Sequence, residues 1–427
     1  MDPDRTDRVV AGPTLLVVPT APRPDGNGLA MRAGMWLDML AAVAPVHLVV
    51  VPVSGPADGS AWIDARAASY TVVDPVAADA ADQHVVAQLG HREWRDAIDA
   101  TAPLPWRVAL APPSLSVDAM ARLAPHLLGV APGAVVVMRE YLVPFGVTLG
   151  RALGAARTVI DLDDDVEALL ERHGDREAAE GYGRVARHWL PRVDAVTIAS
   201  AGEALAVATR HDLAPLVVVP NTVAPLSDVA PRPGDDHLVF VANFTYAPNE
   251  QAAITLAREV LPIVRGTRPT ATLDLVGAPS AAVRALDALP GVVVHGFVPS
   301  VAPLYAAADV MVAPLDDGAG TRIKVLEAFA HQRPVVATPA AVAGLAVTDG
   351  RDVMLASTPG VLALAVERVL ADPTLADALV AAATTTLTEH YAPRVVAPIV
   401  RRVLLGDEAP DDEVPDDEAP SDEMGVR

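Results

Sequence analysis

Apolar positions along the chain follow two alternating rhythms, short unbroken runs that suit buried strands and runs recurring every three to four residues that suit helices. TLLVVPT (14–20) is the first strand, followed by the turn PRPDGNG and a helix in LAMRAGMWLDMLAAV (29–43), where Leu29, Met31, Met35, Trp36, Met39 and Leu40 share one face. VHLVVVPV (46–53), YTVV (70–73) and AVVVM (134–138) read as further strands, with helices expected over 80–98 and 117–128. AVTIAS (195–200) leads to a helix over 202–211 and a strand in PLVVVPN (215–221). The rhythm then stops in the proline-rich, acidic SDVAPRPGDD (227–236). It restarts with strand HLVFVANF (237–244), a helix over 249–264, and strands TATLDLVGA (270–278), VVVHGFV (292–298) and DVMVAPL (309–315). Helices over 361–370, 375–390 and 394–405 close the pattern. Strands alternating with helices imply parallel crossover units, so the fold class is α/β with two Rossmann-like, doubly wound domains.

This places a first domain at 13–226, a linker at 227–236, a second domain at 237–390 and a terminal helix at 391–405. Residues 1–12 read as a flexible N-terminus. Residues 406–427 hold ten acids and one arginine and read as a disordered acidic tail, because so few apolar groups cannot offset the entropy of ordering. The tail carries −9 of the net charge of −22, and an acidic chain is ill suited to a nucleic-acid partner. Hydrophobic residues make up 52%, yet no run approaches the roughly 18 to 20 apolar residues of a membrane span. Peripheral contact with a membrane stays open. The acid-bearing N-terminus lacks the order of a secretion signal, so a cytoplasmic location is expected. Zero cysteines exclude disulfides, thiolate metal sites and a cysteine nucleophile.

Candidate chemistry concentrates in APLDDGAGTRIKVLEAFAHQRPVVAT (313–338), read as a strand end, a glycine turn, a helix capped by Thr321 and a second strand. Free N–H groups at such a helix start attract phosphate oxygens, and Arg322 and Lys324 add full positive charge. Lys324 is the only lysine among 32 basic residues, so a compact ammonium stands where arginine is otherwise the default cation. Glu327 follows one turn later on the same face, where a carboxylate can accept from two ribose hydroxyls. Asparagine is equally scarce: Asn27, Asn221, Asn243 and Asn249 are the four in the chain, all in expected loops. The acids of TVIDLDDDVEALL (158–170) fit three roles, namely helix capping, lining of an acceptor site, and an Asp-x-Asp metal site through Asp161 and Asp163.

The run PLDDGAGTRIKVLEAFAHQRPVVAT, with VFVANFTYAPNEQA (239–252), VVVHGFVPSVAPLYAAADVMVAPL (292–315) and VVVPNTV (217–223), resembles the C-terminal half of family-4 glycosyltransferases. The resemblance implies a GT-B fold of two facing domains, with the last helix crossing back onto the first. It implies a nucleotide-diphosphate sugar as donor, an acceptor that is a polysaccharide, lipid-linked or small molecule, retention of anomeric configuration, and neither cofactor nor metal. Donor contacts would fall to Gly26, Asn27, Gly28, Asn243, Phe244, His295, Gly296, Phe297, Val298, Asp317, Gly318, Ala319, Gly320 and Thr321. Arg322 and Lys324 would meet the diphosphate and Glu327 the ribose. Arg139, Tyr141 and Asp161 would lie on the acceptor side.

Three departures from the family pattern matter. The turn after the strand at 237–244 lacks the arginine and lysine that clamp the diphosphate in related enzymes, a charge that Arg322 and Lys324 can restore. With seven residues between it and Glu327, the pattern has a second glutamate on the sugar, and here that position is Ala319. No histidine follows the strand at 134–138, so the sugar-reaching role there falls to Arg139, to Glu140 or to neither. Were Glu140 or Asp163 a base, the reaction would invert. An epimerase or hydrolase on the same architecture, a non-catalytic nucleotide-sugar-binding module and a metal-dependent GT-A transferase remain alternatives.

Overall fold

The computed structural model describes residues 12–52, 54–73, 127, 129–317 and 322–406. The expected helix over 80–98, nearly all of that over 117–128, residues 1–11, the tail from 407, and the turn Gly318, Ala319, Gly320, Thr321 lie outside the described residues.

Valine-rich runs form two parallel sheets. The first contains β1 (Thr14–Val18), β2 (Val46–Val50), β3 (Ala67–Val72), β4 (Ala134–Met138), β5 (Arg157–Asp161), β6 (Ala195–Ile198) and β7 (Val217–Val218), in the order β3-β2-β1-β4-β5-β6-β7. The second contains β8 (His237–Val241), β9 (Thr272–Val276), β10 (Val292–Gly296), β11 (Val310–Ala313), β12 (Val335–Ala337) and β13 (Met354–Leu355), in the order β10-β9-β8-β11-β12-β13. Both are doubly wound sheets whose strand order reverses beside the first strand of the lobe, the place where such sheets leave a crevice at their carboxyl edge. β1 and β4 are buried throughout, which unbroken apolar runs require of strands covered on both faces.

Helices follow the expected periods with shifted ends. That over 249–264 starts at Ala247, with Pro248 in its first turn, and continues through a π turn, Leu256–Val260, to Thr267. The strand expected over 215–221 pairs only at Val217 and Val218, because it is an edge strand that meets Pro220. The last helix, Pro393–Leu405, buries Val396, Val400, Val403 and Leu404 in the first lobe's core beside Trp36 and Leu40. It therefore crosses back from the second lobe. The two chain crossings meet where Val223 N donates to Tyr391 O at 3.2 Å.

One polar group is built into the first lobe's core. Arg32, on helix Gly28–Ala41, is fully buried and grips Asp161 of β5 with Nε at 2.7 Å and Nη2 at 2.6 Å. Its Nη1 reaches Val219 O at 3.1 Å and Asn221 Oδ1 at 3.0 Å, so helix, strand and the chain leaving the lobe are tied at one guanidinium. Thr197 Oγ1 also donates to Asp161, at 2.7 Å.

Candidate functional site

The turns after β1, β8 and β11 converge between the lobes on a cavity of about 470 Å³. Gly26, Asn27, Gly28 and Met31 form its wall on the first lobe. Asn243, Thr245, Tyr246, Asn249, Gly277, Ala278, Phe297, Val298, Asp317, Arg322, Ile323, Lys324 and Glu327 line it from the second. Asn27 caps helix Gly28–Ala41, accepting from Ala30 N at 2.9 Å, which presents the start of that helix to the cavity. Opposite, helix Ile323–Ala330 buries Val325, Leu326, Phe329 and Ala330 against the second core and turns Lys324 and Glu327 outward.

Lys324 Nζ donates to Asn249 Oδ1 at 2.7 Å and lies 5.3 Å from the centre of the buried Phe240 ring. Burial, together with the neighbouring Arg322 cation, pulls its pKa down to about 7. Burial likewise pushes Glu327 up to about 7, opposed by Lys324 and helped by Asp25 on the first lobe. Burial thus drives both groups toward neutrality, and a dianion beside Lys324 would favour its charged form. Arg322 is 8% exposed, and desolvation lowers its pKa as well. Gly277 follows β9 at φ +132°, and a Cβ there would stand 1.9 Å from Ala242 O, so only glycine lets the two turns approach.

Several expected residues lie elsewhere. Phe244, expected on the donor, is fully buried with its ring edge-on to Phe240, because that position faces the core. His295 and Gly296 are not among the cavity-lining residues. His295 Nε2 sits 3.0 Å from Asp274 Oδ1, and His237 Nε2 is 2.9 Å from Oδ2 of the same carboxylate. The Asp274 carboxylate beside it is the largest cause of a raised pKa for His237. Desolvation opposes ionisation of Asp274, but the two imidazoles outweigh it and lower its pKa. Below the ordinary histidine pKa of about 6.5 the His237 contribution to stability is complete, and it is lost as pH rises through the raised value. That of Asp274 is present above the ordinary carboxyl value and is lost as pH falls through its lowered one. The urea midpoint of His237→Gln is therefore expected to fall furthest below that of the unmodified chain near pH 6, with the gap closing by pH 9. A gap independent of pH would refute the pairing.

On the first lobe, Asp161 is spent on Arg32 and Thr197 inside the core, so the expected acceptor-side role for it is corrected. Asp163 is 6% exposed at φ +64°, and Arg139, at φ +71°, binds it at 2.8 Å and Asp164 at 3.2 Å. Both expected Asp-x-Asp carboxylates therefore face arginines. Burial lifts Asp163 to about 7 and Glu140 to about 8. Glu140 is 6% exposed and its Oε2 has no hydrogen-bond partner among the described residues. Tyr141 Oη lies 2.6 Å from Ser54 Oγ. None of Arg139, Glu140, Tyr141 or Asp163 lines the cavity.

Sequence reasoning missed Met31, Tyr246 and the glycine–alanine pair 277–278 as lining residues. The pair carried a readable signal, a glycine at the carboxyl end of a parallel strand; Met31 and Tyr246 carried none.

Residues 235–372 match the family described as Glycosyl transferases group 1. No curated protein sequence matches the chain. Among solved structures, TarM aligns with TM-score 0.65 at 10% identity, over 94% of this chain and 99% of that one. Against S. aureus TarM in complex with UDP the match spans 67% of this chain and 59% of the other, with TM-score 0.54. Sucrose-phosphate synthase from Thermosynechococcus elongatus aligns with TM-score 0.65 at 16% identity, over 92% and 98%. Anabaena HepE, in complex with UDP and glucose, aligns with TM-score 0.61 at 14% identity, over 91% and 98%. The fold is GT-B.

Proposed function

Taking residues 235–372 as a glycosyl transferases group 1 domain within a GT-B fold, we propose that the chain transfers a sugar from a nucleotide diphosphate donor to a hydroxyl-bearing acceptor. The observation that carries this is the chain's only lysine, held beside Arg322 on the wall of an interlobe cavity that a nucleotide would fill. In this reading Lys324, Arg322 and the N–H groups starting helix Gly28–Ala41 receive the diphosphate. Glu327 accepts from the ribose hydroxyls, and Phe297, 74% exposed on the cavity rim, offers a ring face to the base. The acceptor oxygen bonds to the anomeric carbon as the bond from that carbon to the diphosphate oxygen breaks. The diphosphate takes the electron pair, and its oxygen takes the acceptor's proton. Cations already in place meet the leaving charge without reorganising.

Retention fits this route better than inversion. Neither Glu140 nor Asp163, the two carboxyls that could act as the base inversion needs, lines the cavity. Metal independence is part of the proposal, since two side-chain cations and a helix start supply the positive charge. A thermal-shift panel of UDP, GDP and ADP tests the reading: the matching nucleotide at 100 times its Kd adds about 2.7 kcal/mol and raises the Tm by several degrees. No shift with any of them would refute it. Sugar transfer is expected to continue in EDTA and to yield first the anomer of the donor, as read by NMR. Binding without turnover would leave a nucleotide-sugar-binding module, and turnover without an acceptor a hydrolase.

A further inference from the structure

The connection from β11 to helix Ile323–Ala330 is flanked by Asp317 and Arg322, and both meet charged groups of the opposite lobe. At its start, Asp317 Oδ1 accepts from Arg172 Nε at 3.2 Å, and Oδ2 lies 2.8 Å from His173 Nε2. At its end, the buried Arg322 is attracted by Glu203 and Asp164. Arg172, His173, Glu203 and Asp164 all belong to the first lobe, on the two helices that begin at Val166 and Ala201 and the loop before the first of them. Nearby the lobes touch closely: a Cβ on Gly344 of the second lobe, at φ +82°, would come 2.8 Å from Ser200 Cβ of the first.

Resting on the donor reading above, we propose that Arg172 and His173 are positioning residues for sugar transfer, which hold Asp317 of the donor-cavity wall from across the cleft. The side chains of Arg172, His173 and Asp317 are 48%, 40% and 34% exposed, and exposed ion pairs of this kind add little to folding stability. Their consequence lies in the lobe-to-lobe equilibrium. Asp317 and Arg322 both line the donor cavity together with Gly26, Asn27 and Gly28 of the first lobe, so its complete wall exists only while the lobes are together. Donor affinity then includes the fraction of molecules that are closed.

The test is a double-mutant cycle between Arg172→Gln/His173→Gln and Asp317→Asn, with Kd measured for UDP, GDP and ADP. The expected result is that each side of the cycle weakens binding of the preferred nucleotide by roughly three- to ten-fold and that combining them weakens it no further. The Tm of the ligand-free protein stays nearly constant. Unchanged affinity, or losses that multiply, would overturn the proposal. Because the chain has no cysteine, spin labels at Glu180→Cys and Arg258→Cys report the distance between lobes directly. That distribution is expected to broaden in Arg172→Gln/His173→Gln with no nucleotide present, and an unchanged distribution also overturns the clasp. Should none of the three nucleotides bind the unmodified chain, the donor reading fails, while the label distances still decide the clasp.

Discussion

Replacing Lys324 by alanine will weaken nucleoside diphosphate binding by on the order of 10²-fold, the effect of removing a charge-assisted donor from a site shielded from water. The ammonium sits between Asn249 and the Phe240 ring, with Arg322 alongside, and no second lysine exists in the chain to stand in for it. Arginine should recover little of the loss, because a planar fork cannot occupy a pocket shaped around a compact ammonium. Affinity should also depend on pH. The free enzyme loses the Lys324 proton near pH 7, so above that point Kd should rise toward tenfold per pH unit, and Lys324→Arg should flatten the slope. Calorimetry at pH 6, 7, 8 and 9 measures both effects. Equal Kd values for Lys324→Ala and the unmodified chain would remove the diphosphate from this pocket. Glu327→Gln is expected to cost less, since an amide oxygen still accepts one ribose hydroxyl.

Removing either half of the Arg32–Asp161 pair should destabilise the first lobe by about 3 to 5 kcal/mol, because the partner is left charged in the core. Both side chains are fully buried, and the guanidinium satisfies four acceptors on β5, Val219 and Asn221. Denaturant unfolding of Arg32→Met and Asp161→Asn checks this. The double substitution should recover part of the loss, since no unpaired charge then remains. Nucleotide binding by the second lobe should survive in folded protein, because neither residue lines the cavity. A loss below about 1 kcal/mol would mean that water reaches the pair.

These expectations separate what was legible early from what was not. The glycine turn with Arg322, Lys324 and Glu327 stood out from composition and spacing alone, and all three line the interlobe cavity. A helix of period 3.6 puts positions 324 and 327 on one face whatever surrounds it. Phe244 and His295 were misplaced for the opposite reason. Whether a residue at a strand end points into a cavity or back into the sheet turns on one position of register, and their sequences read alike.

Arg32 shows the same limit from the other side. In LAMRAGMWLDML a lone arginine looks like a solvated position, yet it is the buried tie between three segments, two of them more than a hundred residues away. Asp161, which read as a site carboxylate, is its partner. Local pattern by itself determined the alternation of strands and helices, the break near 227–236 and the charge of the segment 316–327, since each depends on neighbours within a few residues. Tertiary structure alone decided which acids are consumed by arginines, that Asn249 receives Lys324, and that Asp317 is held from the other lobe. Those pairings join residues dozens to hundreds of positions apart, and only the packed sheets bring them within 3 Å or so of each other.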